Sequence, residues 1–188
     1  GLQGGEELVV NVGGPDDDTV ERGRAIDDPR IRIIESTWDP SQGPAMLAAE
    51  TERARAACRF AWGIYIQADE VFEAGGARRL REAIHAIDAD PRIEGVLVDY
   101  RHFYGGFDTV ALNRRWYRRE CRAIRLDPAY GIHSFRDAQG FRVGPTARRI
   151  RVVASGVVMH HYGWARAAWA LAAKRRCDNE SYHWRGEM

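Results

Sequence analysis

Two adjacent carboxylates stand where an apolar run stops. In residues 62–73, W-G-I-Y-I-Q-A-D-E-V-F-E, the run Trp62, Ile64, Tyr65, Ile66 gives way to Gln67-Ala68-Asp69-Glu70. A hard divalent cation such as Mg²⁺ or Mn²⁺ takes one or two protein carboxylates together with phosphate oxygens, so this pair is of the type a diphosphate-bound cation requires. The preceding run reads as a buried strand, and open α/β sheets bind ligands in the crevice at the carboxyl ends of their strands. The same residues also suit a helix start, with Asp69 as N-cap and Glu70 and Glu73 facing the positive end of the dipole.

Other chemistry-bearing residues lie at the two ends of the chain. Residues 8–12 (L-V-V-N-V) read as a buried strand broken by Gly13-Gly14-Pro15, and Asp16-Asp17-Asp18-Thr19 follows. Asp17 or Asp18 is placed to cap a helix over residues 20–26. Near the end, residues 150–159 read as a strand running into His160-His161-Tyr162-Gly163-Trp164. Neighbouring residues on a strand face opposite ways, so His160 and His161 are not expected to share one metal.

The elements between these points read as an alternation. Residues 31–34 form a second strand, residues 45–61 a helix of mixed charge, residues 77–87 a helix with Leu80, Ile84 and Ile87 on one face, and residues 95–100 an apolar strand. Strand, helix, strand carried through four strands predicts an α/β fold, a mostly parallel sheet with helices on both faces. Residues 114–125 (R-R-W-Y-R-R-E-C-R-A-I-R) are too charged for a central strand and predict an edge or amphipathic antiparallel one. Residues 130–144 read as loop, and a final helix is expected from about Trp164 to Arg176, basic in its last turn.

Composition bounds the function classes. The 188 residues suit a single domain with a real core, and a net charge of +1 gives no global reason to expect nucleic acid as a partner. Three separated cysteines, Cys58, Cys121 and Cys177, form no disulfide framework or thiolate zinc site, and a reduced cytoplasmic setting is expected. No apolar run reaches the roughly 18 residues of a transmembrane segment.

Taken in order, V-V-N-V-G-G-P-D-D-D-T, W-G-I-Y-I-Q-A-D-E-V-F-E and H-Y-G-W resemble the family 2 glycosyltransferases of the GT-A fold, bacterial type, with Q-A-D-E in place of the D-x-D motif. The resemblance covers residues 7–176. It implies a single GT-A-like, Rossmann-like domain with antiparallel strands in its C-terminal half. Residues 1–112 would be the nucleotide-sugar and metal half, residues 113–176 the acceptor side, and residues 177–188 a tail. It also implies a first strand and helix ahead of residue 7, which this sequence does not contain. In the family the last Asp of the motif, here Asp69, ligates the Mn²⁺ or Mg²⁺ that bridges the donor's diphosphate. Gln67 stands at a ribose or metal contact, Gly14, Asp17 and Asp18 lie in a nucleotide-proximal turn, His161 is a diphosphate-side metal ligand, and Glu70 could hold water or an acceptor hydroxyl.

The resemblance implies a metal-dependent, inverting transfer of sugar from a nucleotide-diphosphate donor to a glycan or other hydroxyl acceptor. The acceptor proton then needs a carboxylate base, for which Asp137 in S-F-R-D and Glu120 in W-Y-R-R-E are the candidates, Asp137 preferred because Glu120 sits between arginines. Two other readings stand beside it: a non-catalytic module of the same fold that binds a nucleotide sugar or a partner, and a nucleotidyltransferase, which would ordinarily bring a glycine-rich basic phosphate loop that this sequence lacks.

Overall fold

The structure is a computed structural model that describes residues 6–13 and 18–182. Gly14 and Asp17 lie outside these residues. In chain order the elements are β1 (Leu8–Gly13), α1 (Thr19–Arg24), β2 (Ile31–Ser36), α2 (Pro44–Ala57), β3 (Trp62–Ile64), β4 (Glu70–Phe72), α3 (Gly76–Ile87), β5 (Gly95–Tyr104), β6 (Arg119–Arg125), β7 (Ile132–Phe135), β8 (Gly140–Val143), β9 (Arg148–Arg149), β10 (Val152–Trp164) and α4 (Ala168–Tyr182).

These strands form three sheets rather than the expected GT-A-like, mostly parallel one. β1 and β2 pair in parallel as a sheet of two, β7, β8 and β9 form an antiparallel sheet of three, and the main sheet runs β3-β6-β5-β10-β4. Within the main sheet only β5 and β10 are parallel, and the other three pairings are antiparallel. Helices do not cover both faces of it in alternation. α3 packs on β10, whereas α2 lies against β1 and β7. The alternation misled because it counted long apolar runs. β4, β7, β8 and β9 are two to four residues long and carry charged or polar residues, so they offer too few positions for a period of two to show.

Two further expectations fail for identifiable reasons. β3 was expected to be a buried central strand, but it is a three-residue edge strand, and Ile64 and Ile66 are exposed. β6 is antiparallel as expected but interior, between β3 and β5. Its arginines are tolerated there because each has partners. Arg122 is fully buried beside Glu70, and Arg125 donates to the carbonyls of Ile93 (2.9 Å), Asp88 (2.7 Å) and Asp90 (3.1 Å).

The main core sits between α3 and the sheet. Leu80 and Ile84 of α3 meet Val96 and Val98 of β5, Ala123 of β6, and Val157 and Met159 of β10, all buried. A second cluster, Cys121, Ile124, Ile132 and Phe141, joins β6 to the β7-β8 hairpin. No helix among the described residues is long and apolar enough to cross a membrane.

Candidate functional site

The Q-A-D-E segment is a tight turn between β3 and β4, closed by a bond from the Glu70 amide to the Gln67 carbonyl (3.0 Å). The Glu70 side chain closes it a second time, because its Oε2 accepts from the Gln67 amide at 3.0 Å. Its other oxygen is held from below. Tyr100 donates its hydroxyl proton to Glu70 Oε1 (2.7 Å), Arg122 Nη2 donates to the same oxygen (2.6 Å), and Arg122 Nε donates to the Tyr100 hydroxyl. Glu70 and Arg122 expose none of their side chains. Glu70 is thus the buried strut of the turn, which leaves Asp69 as the carboxylate that faces outward, its side chain 35% exposed.

Strand register then brings a row of groups to Asp69. His161 of β10 pairs with Glu70 on β4 and with His102 on β5, so the three lie side by side across three strands. The Tyr162 amide donates to the Asp69 carbonyl (2.8 Å), and His161 Nε2 comes to 3.5 Å from Asp69 Oδ2. Gly163 allows this approach. A Cβ there would lie 2.2 Å from Asp69 Oδ2 and 3.0 Å from His161 Nε2. His160 faces the other way, its ring edge-on to Phe103 at 5.4 Å.

Hydrogen-bond partners assign the two buried imidazoles. His102 Nε2 is 2.8 Å from the Tyr117 carbonyl, which can only accept, so that nitrogen carries the proton. Burial pushes the His102 and His161 pKa values below the ordinary 6.5, so both rings are neutral at pH 7. The bare Nδ1 of His102 then accepts from His161 Nδ1 at 3.0 Å. His161 Nε2 is left with a lone pair aimed at a carboxylate 3.5 Å away. Two acceptors so placed are stable together when a proton or a metal cation lies between them.

This pair borders a cleft of about 2630 Å³, which also takes in Gln67, Asp137 and Trp164. Consecutive residues 8–11 of β1 and 62–67 at β3 line it, so strand edges rather than faces form two of its walls. Asp137 reaches the cleft from the β7-β8 turn, where Arg136 and Ala138 on either side adopt positive φ (56° and 61°). Such backbone is uncommon for residues with a side chain and marks a turn held in place by its surroundings. Glu120 is not among the cleft-lining residues. Its carboxylate packs over Gly140, where a Cβ would lie 2.9 Å from Oε2, and burial raises its pKa against the lowering effect of Arg122 and Arg142. Asp18 is exposed in an ion pair with Arg22 (2.8 Å). Burial pushes the Cys121 thiol up to about 12, far from a reactive thiolate.

Of the residues singled out in the sequence, the structure therefore brings together Asp69 and His161, with Glu70 directly beneath, and places Gln67 and Asp137 on the same cleft. His102, Tyr100 and Arg122 were not legible as site residues because only strand register sets them beside the turn. Gly163 was legible as a letter of H-Y-G-W, yet without a reason. Among the described residues no three His, Cys, Asp or Glu side chains converge as a metal cage. No protein-family model matches the chain, and no curated protein matches it.

Proposed function

We propose that the cleft binds a nucleotide-diphosphate sugar at Asp69 and His161 and transfers the sugar to a hydroxyl acceptor. The observation that carries this reading is the approach of His161 Nε2 to the Asp69 carboxylate at 3.5 Å, on a cleft that Asp137 also lines. One imidazole and one carboxylate fit a first-row divalent ion such as Mn²⁺ better than Mg²⁺, which prefers oxygen alone. Two protein donors are too few to cage an ion, and they suit one whose remaining ligands are phosphate oxygens and water. Such an ion would supply positive charge to the diphosphate as it departs.

The chain's own groups account for the rest. Glu70, locked by Arg122 and Tyr100, fixes the turn so that Asp69 does not have to reorganise when the ligand arrives. The His102 to Tyr117 carbonyl bond fixes the tautomer and plane of His161. The acceptor oxygen forms its bond to the anomeric carbon while the bond from that carbon to the diphosphate breaks and its electron pair leaves with the phosphate. Asp137 takes the acceptor's proton, and displacement from the opposite face inverts the anomeric centre.

The test is calorimetric titration of UDP, GDP, dTDP and CDP with and without Mn²⁺, followed by donor-turnover assays with sugars on the base that binds. Binding of one nucleotide that Mn²⁺ strengthens and turnover of its sugar donor are expected, with the Mn²⁺ enhancement and the turnover lost in Asp69→Ala at unchanged melting temperature. Binding without turnover of any donor would leave a non-catalytic nucleotide-sugar module instead. A Mn²⁺ enhancement of binding that is undiminished in Asp69→Ala would remove Asp69 from the site.

A further inference from the structure

The cleft carries a group of cations that the reading above does not use. Arg166 and the α4 residues Lys174 and Arg175 line it on the side that follows β10, and Arg115 lines it from the segment before β6. None of the four makes an ion pair with a carboxylate among the described residues. Their partners are neutral. Arg166 Nε donates to the Gly163 carbonyl (3.2 Å), Lys174 Nζ lies 5.3 Å over the Trp164 ring, and Arg175 donates to the Tyr104 hydroxyl. By contrast, Arg122, Arg148 and Arg151 all have a carboxylate within 2.8 Å.

An aromatic frame holds these cations close to Asp69. Trp164 stacks with Tyr104 (6.4 Å, 18°) and meets Trp116 edge-on (5.9 Å, 77°), and Trp116 in turn packs on His102 at 4.9 Å. His102 is the residue that holds His161. Arg166 is nearer still, because it is tied to Gly163, the residue against which the Asp69 carboxylate packs. The Lys174 charge also acts on His161, lowering its pKa behind the larger effects of burial, Asp69 and Glu70.

We propose that Arg166, Lys174, Arg175 and Arg115 form a diphosphate-binding site that works without a metal ion. Four like charges gathered on one cleft repel each other, and an anion between them removes that cost. A diphosphate suits them better than a single carboxylate, since it carries several negative charges and enough oxygens to engage several guanidinium forks at once. The site rests on the reading of the cleft as a diphosphate site, and it deepens it: these side chains, and not the Asp69 and His161 pair alone, would neutralise the leaving group.

The test is calorimetric titration of inorganic pyrophosphate in EDTA, with wild-type protein, the double variant Lys174→Gln/Arg175→Gln, Arg166→Gln and Asp69→Asn. Melting curves exclude unfolding, and the substituted side chains are half-buried or exposed, so the fold is expected to survive. Pyrophosphate should bind in EDTA, weaken by about tenfold for each cation removed, and weaken with added salt. Binding in EDTA that the cation variants leave unchanged would overturn the proposal. So would pyrophosphate binding that requires Mn²⁺ and is lost only in Asp69→Asn, and in that case the nucleotide-sugar reading would stand. Failure of pyrophosphate and of every nucleoside diphosphate to bind, with or without Mn²⁺, would overturn both.

Discussion

Replacing Gly163 with alanine should disable the site while leaving the fold that carries it. The added Cβ would lie 2.2 Å from Asp69 Oδ2, and ordinary contact begins near 3.4 Å, so the carboxylate has to retreat by about 1.2 Å. The backbone at Gly163 is not in the left-handed region, so alanine itself is accommodated without strain there. The closest atom in the way is the far end of a side chain that is 35% exposed, and it can turn aside at a cost of about 0.5–1.5 kcal/mol for an off-rotamer side chain, while the buried His161 Nε2, 3.0 Å from the added Cβ, has to give by a smaller amount. The retreat destroys the alignment of Asp69 with His161 Nε2. Disturbing the supports of a metal ligand typically costs about 10- to 100-fold in affinity, and a misplacement of about 1 Å costs on the order of 10²-fold in rate. Mn²⁺ affinity measured by electron paramagnetic resonance, alongside a urea unfolding curve, reads both quantities. Affinity within about twofold of wild type, or a loss explained by global unfolding, would refute the reasoning.

Two other perturbations test the supports. Glu70→Ala leaves the fully buried Arg122 without its carboxylate, and breaking a buried pair from one side costs about 3–5 kcal/mol, to be read as a lower urea midpoint at constant slope. A loss below about 1 kcal/mol would mean that Arg122 finds adequate partners in Tyr100 and the Gln139 carbonyl. Glu120→Gln addresses a carboxyl whose folded pKa burial raises above the ordinary 4.5. The folded state binds that proton more tightly than the unfolded one, so the penalty is absent below pH 4.5, grows as pH rises towards the folded value, and is complete above it. The variant should therefore be the more stable protein at pH 7, with the difference gone in acid, and an equal difference at both pH values would exclude ionisation as its source.

Local pattern made several elements legible. The stripe Leu80, Ile84 and Ile87 on α3 and the apolar stretches in β5 and β10 carry their periodicity in the residues themselves, because each buries one face over many positions, whereas β1, expected as a buried strand, is a strand with no buried residue. Asp69 and His161 stood out for a related reason: charged and titratable groups at the end of an apolar run are costly unless something uses them.

Pairing was not legible. Whether β5 and β10 run parallel, and whether β6 and β4 flank them as antiparallel strands, depends on contacts between residues far apart in the chain, which no local window contains. The same applies to the site. Glu70 became a strut rather than a ligand because Arg122, 52 positions away, reaches it, and His102 joined the row because β5 lies beside β10. The sequence by itself determined which residues could carry the chemistry. Tertiary structure decided which of them face the cleft and which are buried beneath it, since burial and hydrogen-bond geometry exist only once distant strands have met.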